Sequence, residues 1–356
     1  MRDVNELLRV VMERGGSDLH ITVGVPPMIR LNGRLMPIEG EPCLTPDMTR
    51  EAVFSIMSQD RRAALEQNLE HDFAYSIPGE ARFRVNAYFQ RGSLGAAFRL
   101  IPVEIRTIAD LGLPAVLEDL AMKPRGFVLV TGPTGCGKST TLAAMIDHIN
   151  HNREQHIITI EDPIEYLHVH DRSVINQREV GSDTQSFARA LKHILRQDPD
   201  VILIGEMRDL ETVSAALTAA ETGHLVFATL HTQDAVQTVD RIIDVFPPHQ
   251  QQQVRVQLSG VLQGVVSQQL LPTIDGRGRV VACEVLIPTP AVRNLIREAK
   301  THMIQTAMQT GTSHGMVTMD HALADMYRRG MITLETAMQR AVDQNDLKSL
   351  LSQTGG

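Results

Sequence analysis

The sequence predicts an α/β fold preceded by a smaller α+β unit. Three observations carry this expectation. Four apolar runs, GFVLVTG, HIITIED, VILIGE and HLVFATLHT, hold few charges, as parallel strands covered on both faces do. Helical stretches such as 138–150 and 186–197 lie between them. Ahead of residue 102 the pattern changes to short strands and helices punctuated by turn dipeptides.

The first hundred residues follow in order. Residues 3–13 read as a helix with apolar positions at Val4, Leu7, Leu8 and Val11. DLHITVG is a strand ended by Pro26 and Pro27, and MIRLNGRLMPI is a hairpin turning at Asn32 and Gly33. Residues 45–68 read as one helix, with Thr45 as N-cap and Pro46 in the first turn. Strands are expected at 71–77, 82–90 and 94–101. The pattern loosens over 102–114, so the expected division is a domain at 1–101, a linker at 102–114 and a second domain at 115–356. The tail from about 289 to 356 reads as short helices, with breaks at 311–315 and 328–331.

Composition limits what such a chain does. At 356 residues it is long enough for about two domains. The net charge of -8 and an aromatic content of 4% without tryptophan argue against a nucleic-acid motor. Cys43, Cys136 and Cys283 are widely spaced and form no CxxC pair, which fits a reducing cytosol. The charged N-terminus lacks the apolar core of a signal peptide, and no apolar run is long enough for a transmembrane segment.

The chemistry starts at Gly132-Pro133-Thr134-Gly135-Cys136-Gly137-Lys138-Ser139, followed by Thr140. This is the phosphate-binding loop pattern in its required place, between an apolar strand and a helix. Glycines let backbone N–H groups turn inward around phosphate oxygens, Lys138 reaches the β- and γ-phosphates, and the Ser139 hydroxyl binds Mg²⁺. ATP and Mg²⁺ are therefore the expected ligands. Cys136 reads as a small side chain filling a variable loop position rather than a catalyst.

Acidic residues end two later strands, where an α/β sheet places its chemistry. Glu206, closing VILIGE, is placed to hold the Mg²⁺ shell. Of Glu161, Asp162 and Glu165 in EDPIE, one can orient or deprotonate water. His224 and His231 bracket HLVFATLH, with His231 at the carboxyl end and period-2 alternation putting the two on opposite faces. His168 and His170 share a face but lack the further ligands of a metal site. Arg82, Arg84 and Arg99 read either as a solvated strand face or as cations that clamp ATP phosphates when two domains close.

GPTGCGKST, ITIEDPIE, VILIGEMRD and GHLVFATLHT resemble, in order, the Walker A, acidic, Walker B and histidine boxes of secretion ATPases. NQREVGSDTQSF, TAAETGHL, GGSDLHITVGVPPMIRLNG and RFRVNAYFQR extend the resemblance over nearly the whole chain. It implies a PAS-like N-terminal domain, a RecA-like ATPase domain and assembly as a homohexameric ring. Lys138 and Ser139 then match the nucleotide and Mg²⁺ residues, Glu165 or Glu161 the catalytic acid, with Glu165 favoured, and Glu206 the Walker-B acid. His224 and His231 match the histidine box, and the three arginines fall where the family's arginines meet phosphate. Cys136 departs from the serine common at its position.

Within the superfamily the chain is similar to the branch that retracts type IV pili. Extension and type II secretion ATPases look longer at the N-terminus and usually carry a four-cysteine zinc motif, neither of which is seen here. AVRNLIRE, at 291–298, resembles a segment associated with retraction. Its pattern puts Val292, Leu295 and Ile296 on one helical face and leaves Arg293 and Arg297 as an exposed, like-charged pair suited to an acidic partner. The resemblance implies a cytoplasmic motor at the inner face of the bacterial inner membrane, working on an inner-membrane platform protein. An accessory retraction ATPase, a nucleic-acid translocase and a non-hydrolysing nucleotide-binding scaffold are the alternatives.

Overall fold

The computed structural model describes residues 1–31, 33–101 and 104–352. The chain divides into two compact units, Met1–Glu104 and Ile105–Gly356.

The first unit contains α1 (Val4–Glu13), β1 (Asp18–Ile21), β2 (Met28–Leu31), β3 (Arg34–Pro37), α2 (Pro46–Ser55), α3 (Gln59–Asn68), β4 (Glu70–Ile77), β5 (Ala81–Gln90) and β6 (Ser93–Ile101). Among the described residues its strands form an antiparallel sheet in the order β3-β2-β1-β6-β5-β4. Asp3 starts α1 with a reciprocal cap: its side chain accepts from the Glu6 N–H at 2.8 Å, and Glu6 accepts from the Asp3 N–H at 3.1 Å. The helix buries Val4, Leu7, Leu8 and Val11 against the sheet. Asn32, expected in the hairpin turn, lies outside the described residues, while Gly33 has φ 81°. The single helix expected over 45–68 is two. α2 ends at Ser55, and the Ser58 hydroxyl accepts from the Arg61 N–H to begin α3.

The second unit runs α4 (Val116–Ala121), β7 (Gly126–Thr131), α5 (Lys138–Asn152), β8 (His156–Glu161), β9 (Val174–Glu179), α6 (Phe187–Ile194), β10 (Val201–Ile204), α7 (Leu210–Glu221) and β11 (Leu225–Leu230). It continues through α8 (Ala235–Asp244), α9 (Pro248–Val261), β12 (Leu262–Pro272), β13 (Arg279–Leu286), α10 (Pro290–Arg297), α11 (Ile304–Gln309), α12 (Met319–Arg328), α13 (Leu334–Arg340) and α14 (Gln344–Ser352). The sheet order is β13-β12-β7-β11-β10-β8-β9, parallel except for β13. One apolar layer joins α5 and Leu117 of α4 to the sheet, and another joins α6 through α10 to it. A third holds α12, α13 and α14 against Leu271 and Ala282. This is the expected α/β architecture, enlarged by β9 and by the β12–β13 hairpin.

The expected linker needs correction. Residues 105–114 belong to the second unit, and Ile108 and Leu113 are buried there beside Leu117 and Met145. Thr107 and Asp110 close the turn between them, with the Thr107 hydroxyl donating to Asp110 at 2.6 Å. Apolar residues in IRTIADLGL have a core to join, so the segment is a docked strap. Residues 102 and 103 of the expected linker lie outside the described residues.

Candidate functional site: a phosphate loop with an acidic and histidine cluster

The loop leaves β7 through Gly132, whose φ is 138°. A Cβ there would stand 2.4 Å from the Gln268 carbonyl oxygen and 2.7 Å from the Cys136 sulfur. Only glycine lets the chain turn between β7 and the neighbouring strand β12. Gly135 and Gly137 also have positive φ, 80° and 95°, and Gly137 stands at the N-cap of α5. The loop thus ends on a helix N-terminus with free N–H groups and the positive end of the helix dipole. Lys138 donates its Nζ to the carbonyls of Gly132 at 2.8 Å and Pro133 at 3.2 Å, which arches the side chain back over the loop. Burial holds its ammonium below the usual range, with Cys136 and Glu206 pulling the other way.

The loop is braced from beneath. The Thr131 hydroxyl is bonded to Ser267 at 2.8 Å, and Thr238 reaches Thr131 at 3.4 Å and Thr232 at 2.7 Å. This buried line of hydroxyls connects β12, the root of the loop and the segment after His231. Gln268 donates its amide to Thr141 at 2.8 Å, and Thr140 is bonded to the Tyr166 hydroxyl at 2.8 Å. Cys136 is buried, and burial pushes its thiol up, so its environment is that of a packing residue.

Glu206 follows β10 and is fixed by the backbone on either side. The Gly205 N–H donates to Ile160 O at 2.7 Å, and the Met207 N–H donates to Thr229 O at 3.1 Å. The carboxylate accepts from Arg208 at 2.6 and 2.7 Å and lies 2.9 Å from His231 Nε2. Burial pushes the Glu206 carboxyl up, but Arg208 and His231 outweigh it and hold it below the usual carboxylate range. The group is an anion gripped by two donors.

The two candidate acids, one ending β8 and one four residues beyond it, differ. Glu161 accepts from the Thr159 hydroxyl at 2.6 Å and the Gln177 amide at 3.2 Å, and burial pushes its carboxyl up. Glu165 is exposed, and its backbone N–H donates to the Glu161 carboxylate.

His224 does not join this cluster. It stands at the amino end of β11, where its Nδ1 is 2.9 Å from Ala219 O, and it closes α7. The two histidines flank a six-residue strand and are about 23 Å apart at 3.3 Å per residue. Arg82, Arg84 and Arg99 lie on the first unit's sheet, where Arg84 and Arg99 are register partners and Arg82 is two residues along the same strand. All three side chains therefore share a face. Arg99 donates to the buried Asp18 at 2.9 Å.

Arg208, Gln177, Thr131 and Gln268 escape a reading of the sequence alone. Arg208 has a cue in the GEMRD spacing, two residues after Glu206, while the others are ordinary polar strand residues. The nucleotide fits what is present, because Gly135 and Gly137 have positive φ and a Cβ at either would meet nothing within 4 Å, which leaves the loop N–H groups open to a phosphate at the start of α5. The Ser139 hydroxyl and the Glu206 carboxylate are the oxygen donors that would hold Mg²⁺. Among the described residues no group of three or more His, Cys, Asp or Glu could hold an ion. Two hard oxygens suit Mg²⁺, which takes few protein ligands and completes its shell with water and phosphate.

The segment 291–298 also differs from expectation. α10 buries Val292 and Ile296, as its period requires. Arg293, however, turns inward and donates to the carbonyls of Ser259, of Gly260 at 3.1 Å and of Leu262 at 2.8 Å. It caps the open end of α9, so it is half of no exposed pair. Arg293→Ala is expected to lower stability by about 2–3 kcal/mol, since it strands these carbonyls. Arg293→Lys should recover only part of that, because an ammonium lacks the planar fork. Urea unfolding of the three proteins checks this; equal midpoints would show that the cap contributes nothing.

Comparison with known proteins agrees with the geometry. A family model described as type II/IV secretion system protein matches residues 1–347. The Pseudomonas aeruginosa protein called type IV pilus retractation ATPase PilT is 50% identical over 95% of this chain and 98% of its own length. The same organism's type IV pilus ATPase PilU is 48% identical over 98% of this chain and 91% of its own. A crystal structure of the pilus retraction motor PilT with bound ADP superposes with a TM-score of 0.91 at 51% identity, covering 98% of this chain and all of that one. The Legionella pneumophila ATPase DotB gives 0.83 at 27% identity, covering 94% of each chain. The chain therefore belongs to the type II/IV secretion system protein family.

Proposed function

We propose that this chain is a motor ATPase of type IV pilus retraction. The observation that carries the proposal is Glu206, held between Arg208 and His231 at the carboxyl ends of adjacent strands and electrostatically coupled to Lys138 of the loop. The relatives named as retraction ATPases share half of its residues over nearly full length.

The chain's own groups divide the work as follows. Loop N–H groups and the α5 N-terminus bind the phosphates, and Lys138 exchanges its loop carbonyls for phosphate oxygens. Ser139 and Glu206 would hold Mg²⁺, which supplies charge neutralisation at the β- and γ-oxygens. Glu165, exposed in the turn after β8, orients the attacking water, while Glu161 is fixed by Thr159 and Gln177 and shapes the turn. His231 senses the transferred group through Glu206. His224 has no part in this cluster, and Arg82, Arg84 and Arg99 serve as phosphate-contacting cations of the assembled ring. The working form is a homohexamer, in which a heterologous interface repeats until it closes. Among the described residues no helix is long and apolar enough to cross a membrane. Work at a membrane then passes through a partner, which we assign to the inner-membrane platform protein of the pilus, with the ring on its cytoplasmic side.

Phosphate release by the wild type, and its loss by about 100-fold or more in Glu206→Ala, tests the enzyme. Complementation tests the retraction role, since the chain should restore twitching to a strain lacking its retraction ATPases. Turnover without restored twitching would reject that role. The nearly equal identity to PilU supports a second reading, an accessory ATPase acting with a main motor. Restoration only when a main motor is co-expressed would select it.

A further inference from the structure

Between β8 and β9 the chain passes through residues 162–173 in irregular backbone, and Glu165 lies early in that passage. With no ladder to fix it, the shape of the turn rests on separate hydrogen bonds. The Ile164 N–H donates to the buried Glu179 carboxylate at 3.1 Å, and the Glu165 N–H donates to Glu161. The Gln177 amide donates to the Tyr166 carbonyl at 2.8 Å, and its oxygen accepts the His168 N–H at 2.9 Å. Each of these bonds ties the turn to β8 or β9, the strands that it joins.

The Tyr166 hydroxyl reaches elsewhere. It is bonded to the Thr140 hydroxyl at 2.8 Å, across 26 residues of sequence. Thr140 lies in the first turn of α5, one residue after Ser139, so the bond joins the turn to the helix end suited to phosphate. Glu165 is exposed and immediately precedes Tyr166, so a tie at the tyrosine sets where the carboxylate starts from. The tyrosine is half-buried, and replacing its hydroxyl by hydrogen keeps the ring in its packing.

We infer that Tyr166 is a positioning residue for hydrolysis, whose bond to Thr140 sets the reach of Glu165 toward phosphates bound at the start of α5. The inference rests on the reading of Glu165 as the residue that orients the attacking water. Such a carboxylate must be placed closely, because a misplacement of about 1 Å costs on the order of 100-fold in rate. A turn anchored only to its own strands is free to swing relative to α5. The phenol removes that freedom.

Steady-state turnover, ADP affinity and thermal unfolding of the full-length chain test it, in the wild type, Tyr166→Phe, Glu165→Gln and the double variant. Tyr166→Phe is expected to lower kcat about tenfold, with KM for ATP and ADP affinity within about twofold of wild type. Glu165→Gln should lower kcat about 100-fold. Adding Tyr166→Phe to it should then change kcat by less than about twofold, since the tyrosine has nothing left to place. Thr140→Val cuts the same bond from the helix side, and Tyr166→Phe should add as little to it. A tyrosine that only holds the fold would lower the unfolding temperature without lowering kcat, or would multiply its loss onto both backgrounds. Either result, or a fall in nucleotide affinity that accounts for the whole loss, would overturn the inference. Glu165→Gln at the wild-type kcat would overturn the reading of Glu165 itself, which separates the two failures.

Discussion

Gly132→Ala is expected to reduce ATP turnover by about 100-fold or more and to destabilise the second unit. The added methyl meets the Gln268 carbonyl at 2.4 Å, and that oxygen belongs to strand backbone with no room to yield. The backbone angle of 138° adds strain of about 1–3 kcal/mol for any residue with a Cβ. To relieve both, the loop must lift away from β12, carrying the Gly132 carbonyl that Lys138 contacts. A shift near 1 Å at this point separates the loop N–H groups and the lysine from the phosphates together. Phosphate release and thermal unfolding of the variant measure the two effects. Wild-type values in both would show that the loop has slack the structure does not display.

Glu284 supplies the second large effect, this time on stability. Burial pushes its carboxyl up to about 7, with the Ala235 and Met319 N–H groups opposing and the Asp234 and Asp320 charges adding to the rise. The folded state thus holds this proton more tightly than the unfolded chain, whose glutamate titrates near 4.3. The contribution is fully present below about pH 4 and is lost as pH rises through about 7. The loss approaches roughly 4 kcal/mol for a shift of this size. Glu284→Gln removes the titration, so its stability should fall less than that of the wild type between pH 5 and about 8. Urea midpoints across that range compare the slopes, and parallel curves would mean that Glu284 does not titrate there.

The parts of the fold with a strong local signal are legible in the sequence. The loop glycines, the four apolar runs and Glu206 at a strand end announce themselves because each is set by its own few residues. β12 and β13 are not, because α9 passes into β12 without a turn residue and Ser267, Gln268 and Gln269 interrupt its apolar pattern. Those same polar residues brace the loop, so function blurs the period there. The linker reads as too long because buried Ile108 and Leu113 are separated by a polar turn. At the site, topology pairs Glu206 with His231, whereas excluding His224 requires the strand's length and direction. Arg293 and Glu284 bind backbone groups, which carry no mark in a sequence.

That inward arginine changes how genetics of 291–298 should be interpreted. A screen that scores only movement cannot tell a lost handshake from a loosened hinge pin. Substitutions at 293 should lower protein abundance along with motility, because the end of α9 and the first residue of β12 lose a shared anchor. Asn294, Arg297 and Glu298 are linked to one another and to Lys300 on the outer face, so changes there leave the fold alone. Defects at those three, at normal abundance, are the ones that report on whatever the helix meets.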